Sequence, residues 1–202
     1  MTAANLAGRR VAFVVANDGV EEIELTYPWE AVIAAGGRAV LIAPRAEHVQ
    51  TYRHLDRTGR FAADLPLAEA VAEDYDAVVL PGGVANPDIL RRDRDAHRLL
   101  RQADARGTTI AAICHAPWTL IDAGILRGRT LAAWPSLATD LRNAGAIWTA
   151  QETHVQAHLI TAQSDRDVAA FTDLLLNRLR ESPPRPARDD AAVVGYTTLP
   201  TA

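Results

Sequence analysis

Short apolar runs and longer mixed segments alternate along the 202-residue chain. Residues 11–15 read Val-Ala-Phe-Val-Val, the continuous apolar pattern of a strand buried on both faces. The spacing next predicts a helix over 22–35 closed by Gly36-Gly37, then a second strand over 39–43 stopped by Pro44. Residues 45–65 are polar and read as a loop with a short hairpin; 66–72 read as a short helix, and 77–80 as a strand ending in Pro81-Gly82-Gly83. Beyond it the pattern predicts a helix over 87–106, a strand over 108–113, a helix over 115–123, a strand over 130–133 and a helix over 136–144. Two short strands follow within 147–160, then a closing helix over 164–180 capped by Ser164 or Asp165. Repeated β–α units of this length imply an α/β protein, with a mostly parallel sheet and helices on both faces. There is no internal repeat. One domain over 8–180 is expected, and 181–202 forms a C-terminal tail, because Ser182-Pro183-Pro184-Arg185-Pro186 cannot continue a helix. That tail is either disordered or docked on a neighbouring surface through the apolar residues 192–196.

Composition narrows the partners. Apolar residues make up 49% and charged residues 23%, and the net charge is −4. That balance points away from nucleic acid and from anionic membrane. No apolar stretch reaches transmembrane length, and residues 1–10 carry no signal-peptide core. The single cysteine excludes an intrachain disulfide framework and any Cys-rich metal site, and a lone free thiol points to the reducing cytoplasm. The histidines lack metal-ligand spacing, so no metal is expected.

The cysteine sits where chemistry would want it. An apolar run ends at Ile113; Cys114 and His115 follow, then a helical pattern. A thiol at a strand-to-helix turn meets the positive end of a helix dipole and free backbone N–H groups, which favour a thiolate and can hold an oxyanion. A depressed thiol pKa is therefore expected. The alternative is a small buried hydrophobe. In a parallel sheet ligands bind beyond the carboxyl ends of the strands. Three such ends carry polar groups here: Asn17 to Glu24 after the first strand, Pro81-Gly82-Gly83, and Cys114-His115. Glu21 and Glu24 are three apart and would share a helix face, so either could reach Cys114 and act as general acid or base; the alternative is favourable charge at a helix N-terminus. Gly82 and Gly83 allow backbone to approach a ligand, and the amides of Gly83 and His115 are candidate oxyanion donors. His115 needs an orienting acid to serve as a base, and Asp88 in Asn86-Pro87-Asp88 is a candidate.

Together these motifs resemble the ThiJ/PfpI family of the class I glutamine amidotransferase-like superfamily. The matching pieces are Val14-Val15-Ala16-Asn17 with Val20-Glu21-Glu22-Ile23-Glu24-Leu25, Val79-Leu80-Pro81-Gly82-Gly83 and Ala112-Ile113-Cys114-His115-Ala116-Pro117. Ala123-Gly124-Ile125-Leu126-Arg127-Gly128-Arg129 and Asn143-Ala144-Gly145-Ala146 also match. The resemblance implies a flavodoxin-like sandwich, Cys114 as nucleophile with its sulfur hydrogen-bonded to Glu21, and the Gly83 and His115 amides around an oxyanion. It also implies a homodimer or larger homo-oligomer in which Asp88 of a neighbouring subunit completes a Cys-His-acid triad. The implied activity is that of a cofactor-independent hydrolase or lyase acting on a small electrophile or a peptide. A redox-responsive stress protein sensing oxidants through Cys114, or a pathway-specific enzyme on the same scaffold, is the other reading.

Overall fold

The computed structural model describes residues 6–182 and a strand at 198–199. In chain order the elements are β1 (Arg10–Val14), β2 (Asp18–Glu21), α1 (Glu22–Ala34), β3 (Arg38–Ala43), β4 (His48–Arg53), β5 (Asp56–Ala62) and β6 (Leu65–Pro66). They continue with β7 (Ala77–Leu80), α2 (Ala85–Leu90), α3 (Arg94–Ala105), β8 (Thr109–Ile113), α4 (Pro117–Ala123), β9 (Thr130–Ala132) and α5 (Ala138–Asn143). The last are β10 (Ile147–Thr149), β11 (Thr153–Gln156), β12 (Leu159–Ala162), α6 (Val168–Glu181) and β13 (Thr198–Leu199).

Seven strands form the main sheet in the order β11-β12-β8-β7-β1-β3-β6. Every neighbouring pair is parallel except β11 with β12. The five central strands run in the flavodoxin-type order, and the winding reverses between β1 and β7. The alternation of Cβ atoms divides the apolar runs between two cores. Ala12, Val14, Val78, Leu80, Ile110 and Ala112 pack with Leu99, Leu100 and Leu120 from α3 and α4. Phe13, Val79, Ala111 and Ile113 pack on the other face with Leu25 and Trp29 of α1 and Phe171 and Leu175 of α6. Both faces being covered is why residues 11–14, 77–80 and 110–113 are all apolar.

Several elements differ from the sequence expectation. Residues 48–62 form a full antiparallel hairpin, not a loop with a short one: β4 pairs with β5 from His48↔Ala62 to Arg53↔Asp56. Its polar residues are anchored from below, where Glu22 Oε2 accepts Thr51 Oγ1 and the Gly59 N–H, each at 2.8 Å. The hairpin joins β2 and β13 in a second sheet, β13-β5-β4-β2. The helix expected over 87–106 is two helices, because Asp93 turns the chain and caps α3 by accepting the N–H groups of Asp95 and Ala96. The helix expected over 66–72 is two 3₁₀ turns, Leu67–Glu69 and Ala72–Asp74. Ser164 does cap the closing helical segment, in a reciprocal pair with Asp167. In the C-terminal segment, Thr198 and Leu199 pair with Phe61 and Arg60 of β5; the apolar run 192–196 lies outside the described residues. Among the described residues no helix is long and apolar enough to cross a membrane.

Candidate active site

The chain leaves β8 at Ile113 and turns at Cys114, whose φ of +61° lies in the left-handed region. A side chain pays roughly 1–2 kcal/mol for that conformation. The turn is pinned on three sides. Cys114 N–H donates to Ala162 O of β12 at 3.0 Å, Trp134 N–H donates to Cys114 O at 3.0 Å, and Ala116 N–H donates to Ile113 O at 3.0 Å. Helix α4 therefore starts at Pro117, two residues later than expected, with the proline at its first position where no N–H is needed. The result is a nucleophile elbow at the carboxyl end of β8, with Cys114 8% exposed.

Beside it lies the Pro81-Gly82-Gly83 turn after β7. Neither glycine can be replaced without displacement. A Cβ on Gly82 would stand 2.7 Å from Cys114 Cβ and 2.6 Å from Glu24 Oε2. Gly83 has φ +83°, and a Cβ there would strike Gly19 O. Buried Asn86 ties this turn to the end of β1. Its Oδ1 accepts the Ala16 N–H at 2.6 Å, and its Nδ2 donates to Pro81 O and Gly82 O at 2.8 and 3.0 Å. Asn86 thus holds together the two strands at the topological switch point. Sequence reasoning passed over it; an Asn followed by Pro close after a Gly-Gly turn was the available signal.

The carboxyl beside the sulfur belongs to Glu24, not to Glu21. Glu21 is the last residue of β2, with extended backbone (φ −68°, ψ 116°), so the two glutamates do not share a helix face. Glu21 turns instead to the hairpin, where its Oε2 accepts the His54 N–H at 2.9 Å. The partnership of Glu21 with Cys114 implied by the resemblance is therefore replaced by one with Glu24. Glu24 is wholly buried (0% exposed) one turn into α1. Its Oε2 accepts the Gly82 N–H at 2.7 Å; Oε1 meets no hydrogen-bonding partner atom, and the Cys114 thiol is the other polar group in contact. Burial pushes the Glu24 carboxyl up to about 8, against the lowering effect of the Gly82 N–H. Glu24 is thus protonated at neutral pH.

Burial also pushes the Cys114 thiol up, and the Glu24 charge adds to this. The low thiol pKa expected from the sequence is not what this site provides. The backbone N–H groups of His115 and Gly83 oppose the rise by hydrogen-bonding the sulfur, but two buried neighbours cannot both be anions. Those two amides are the pair expected to serve an oxyanion, and both are brought to the sulfur.

His115 supplies the acceptor that the thiol needs. Its Nδ1 lies 3.2 Å from Cys114 Sγ. Burial lowers the imidazole pKa, so the ring is a neutral base at neutral pH. It stands between two indoles, at 5.4 Å from Trp118 and 5.5 Å from Trp134. Neither tryptophan was singled out from the sequence, which gives no sign of which elements their rings would meet. Asp88 lies on α2, exposed, and makes no hydrogen bond to His115 within the chain. Among the described residues no three His, Cys, Asp or Glu side chains gather as metal ligands.

Comparison with known proteins places the family. The model of the DJ-1/PfpI family matches residues 9–178. A protein of Pyrococcus horikoshii named a deglycase is 33% identical over 162 residues, which is 80% of this chain and 94% of that one. A two-domain protein of Anabaena variabilis, with DJ-1/ThiJ/PfpI-like and ferritin-like domains, superposes with a TM-score of 0.78 at 33% identity. That match covers 91% of this chain and 52% of the other, so the chain spans about half of that protein. Drosophila melanogaster DJ-1beta superposes with a TM-score of 0.77 at 26% identity, over 87% and 92% of the two chains. Fold, elbow and family match converge, and the chain belongs to the DJ-1/PfpI family.

Proposed function

We propose that this protein is a cofactor-independent hydrolase or lyase that uses Cys114 against a small carbonyl electrophile, such as a 2-oxoaldehyde or its adduct with an amine. The observation that carries this reading is the 3.2 Å contact of Cys114 Sγ with a neutral His115 Nδ1 at a strained elbow. The chain has 21 basic residues, all arginine, so no lysine side chain can capture a carbonyl as a Schiff base. Cys114 is only 8% exposed, which favours a small substrate over a long peptide.

In this mechanism His115 Nδ1 takes the thiol proton as sulfur adds to the carbonyl carbon. A C–S bond forms, and the carbonyl π pair moves to oxygen. The Gly83 and His115 amides receive the oxyanion, and the proton on Nδ1 passes to that oxygen to give a hemithioacetal. Glu24, protonated and touching the sulfur, is the second group able to exchange a proton with the adduct. The catalytic set is then Cys114, His115 and Glu24, with Gly82 and Gly83 shaping the crevice and Glu21 fixing the hairpin tip. The reading includes a homo-oligomer: Asp88 is exposed beside apolar Val84 and Ile89, a surface from which a second copy could orient His115.

Steady-state consumption of methylglyoxal, a glycated amine and a short peptide tests the reading. Turnover of a small carbonyl compound that is lost in Cys114→Ala supports it. Absence of turnover, with stoichiometric oxidation of Cys114 to sulfinate by mild peroxide, would favour the redox-responsive alternative instead.

A further inference from the structure

His115 is held by little besides ring contacts. Among the described residues the only hydrogen-bond partner of its ring is Cys114 Sγ, and a thiol is a weak partner. Such a bond does not by itself fix an imidazole against rotation. The two indoles differ in how they are secured. Trp118 is clamped: its Nε1 donates to Asp140 Oδ2 at 2.8 Å, and the Arg91 guanidinium lies 5.4 Å from its ring centre. Its plane is tilted by 57° to the imidazole. Trp134 lies nearly parallel to the imidazole, at 26°, with its ring centre 5.5 Å away. Its backbone is joined to the elbow itself, through the N–H that donates to Cys114 O at 3.0 Å, and the residue is 38% exposed.

From this we propose that Trp134 is a positioning residue: its indole closes on the face of His115 and holds Nδ1 against the Cys114 sulfur. The proposal rests on the reading of Cys114 and His115 as the reacting pair. The geometry also gives the stack a direction. When the thiol proton moves to Nδ1, sulfur becomes a thiolate and the imidazole an imidazolium. An indole face attracts a cation more strongly than a neutral ring, so the stack offsets part of the burial that opposes the charge. The same backbone hydrogen bond that pins the elbow sets where the indole can sit, so thiol and histidine are aligned by one segment.

The test uses the thiol rather than turnover. Cys114 is the single cysteine of the chain, so iodoacetamide alkylation reads it alone. Rates at pH 7 are compared for the wild type, Trp134→Ala, His115→Ala and the double variant. Trp134→Phe serves as the conservative replacement, and the His115 ring is followed by ¹⁵N NMR. Loss of the stack should slow alkylation about two- to tenfold in the His115 background, the range that one aromatic contact supplies. In the His115→Ala background the same change should have almost no slowing effect, and Trp134→Phe should keep most of the wild-type rate. The His115 nitrogen shifts should change in Trp134→Ala and stay near wild type in Trp134→Phe. Any wider access caused by the smaller side chain acts equally in both backgrounds and cancels in the cycle. Equal slowing in both backgrounds, no slowing, or unchanged His115 shifts in Trp134→Ala would overturn the proposal. Coupling in this cycle with no carbonyl turnover would instead sink the proposed function and leave the positioning role standing.

Discussion

Glu24 gives the most quantitative handle on this site. A carboxyl held at about 8 against an ordinary value of 4.5 makes the folded protein bind a proton that the unfolded chain has released. The native state therefore holds the extra proton between those two values. Stability falls as pH rises from 4.5 toward 8, then levels once Glu24 ionises in both states. At pH 7 the cost is about 3 kcal/mol as a ceiling, at 1.36 kcal/mol per pKa unit. Glu24→Gln removes the titration while keeping an oxygen for the Gly82 N–H, which Oε2 now accepts at 2.7 Å. The variant should be more stable than wild type at pH 7 by about 1–3 kcal/mol, which for a chain of this size raises Tm by several degrees. Thermal or urea unfolding of both proteins at half-unit steps from pH 5 to 8.5 checks it. The difference between the two curves isolates Glu24 from every other group. A difference that stays flat across that range would mean that Glu24 ionises normally, and the protonated acid beside the sulfur would be lost from the account.

Other outcomes follow from the same geometry. Gly82→Ala drives a methyl group into Cys114 Cβ and Glu24, and should destabilise the fold by about 1–3 kcal/mol and slow alkylation of the thiol, read by unfolding and mass spectrometry. Asn86→Ala leaves the Ala16 N–H and two carbonyls without their partner and should cost about 2–4 kcal/mol in urea unfolding. Glu21→Gln should leave the alkylation rate of Cys114 near wild type, because Glu21 meets the His54 N–H and not the sulfur. Light scattering at micromolar concentration should give a dimer or larger, and Asp88→Asn should lower turnover without changing Tm; an active monomer would remove Asp88 from the mechanism.

Most strands of the main sheet and the elbow were legible because both are written locally, whereas β6 falls where a loop and a short helix were expected. Continuous apolar runs at 11–15, 77–80 and 109–113 admit only strands covered on two faces, and each stops at a polar or glycine motif. What failed depended on where one element ends and the next begins. Glu21 and Glu24 share a face only if both are helical, and β2 claims Glu21. The 48–62 hairpin lacks a strong apolar alternation, and its polar side chains are satisfied by Glu22 from another element, which no local pattern reports. The thiol pKa depends on tertiary structure in the same way. A helix N-terminus is visible in sequence, whereas the burial and the acid that outweigh it are tertiary. The direction of the His115 side chain is not written in the sequence because neighbours at a turn often diverge; here its Nδ1 lies 3.2 Å from the sulfur.

The central claim is that Cys114 is the nucleophile of a carbonyl-directed enzyme. Steady-state consumption of methylglyoxal by wild type and Cys114→Ala, purified identically and shown by circular dichroism to be equally folded, tests it most directly. The account predicts turnover in the wild type and none above background in the variant. Activity in Cys114→Ala above about one part in a hundred, far more than loss of a covalent nucleophile allows, would contradict it.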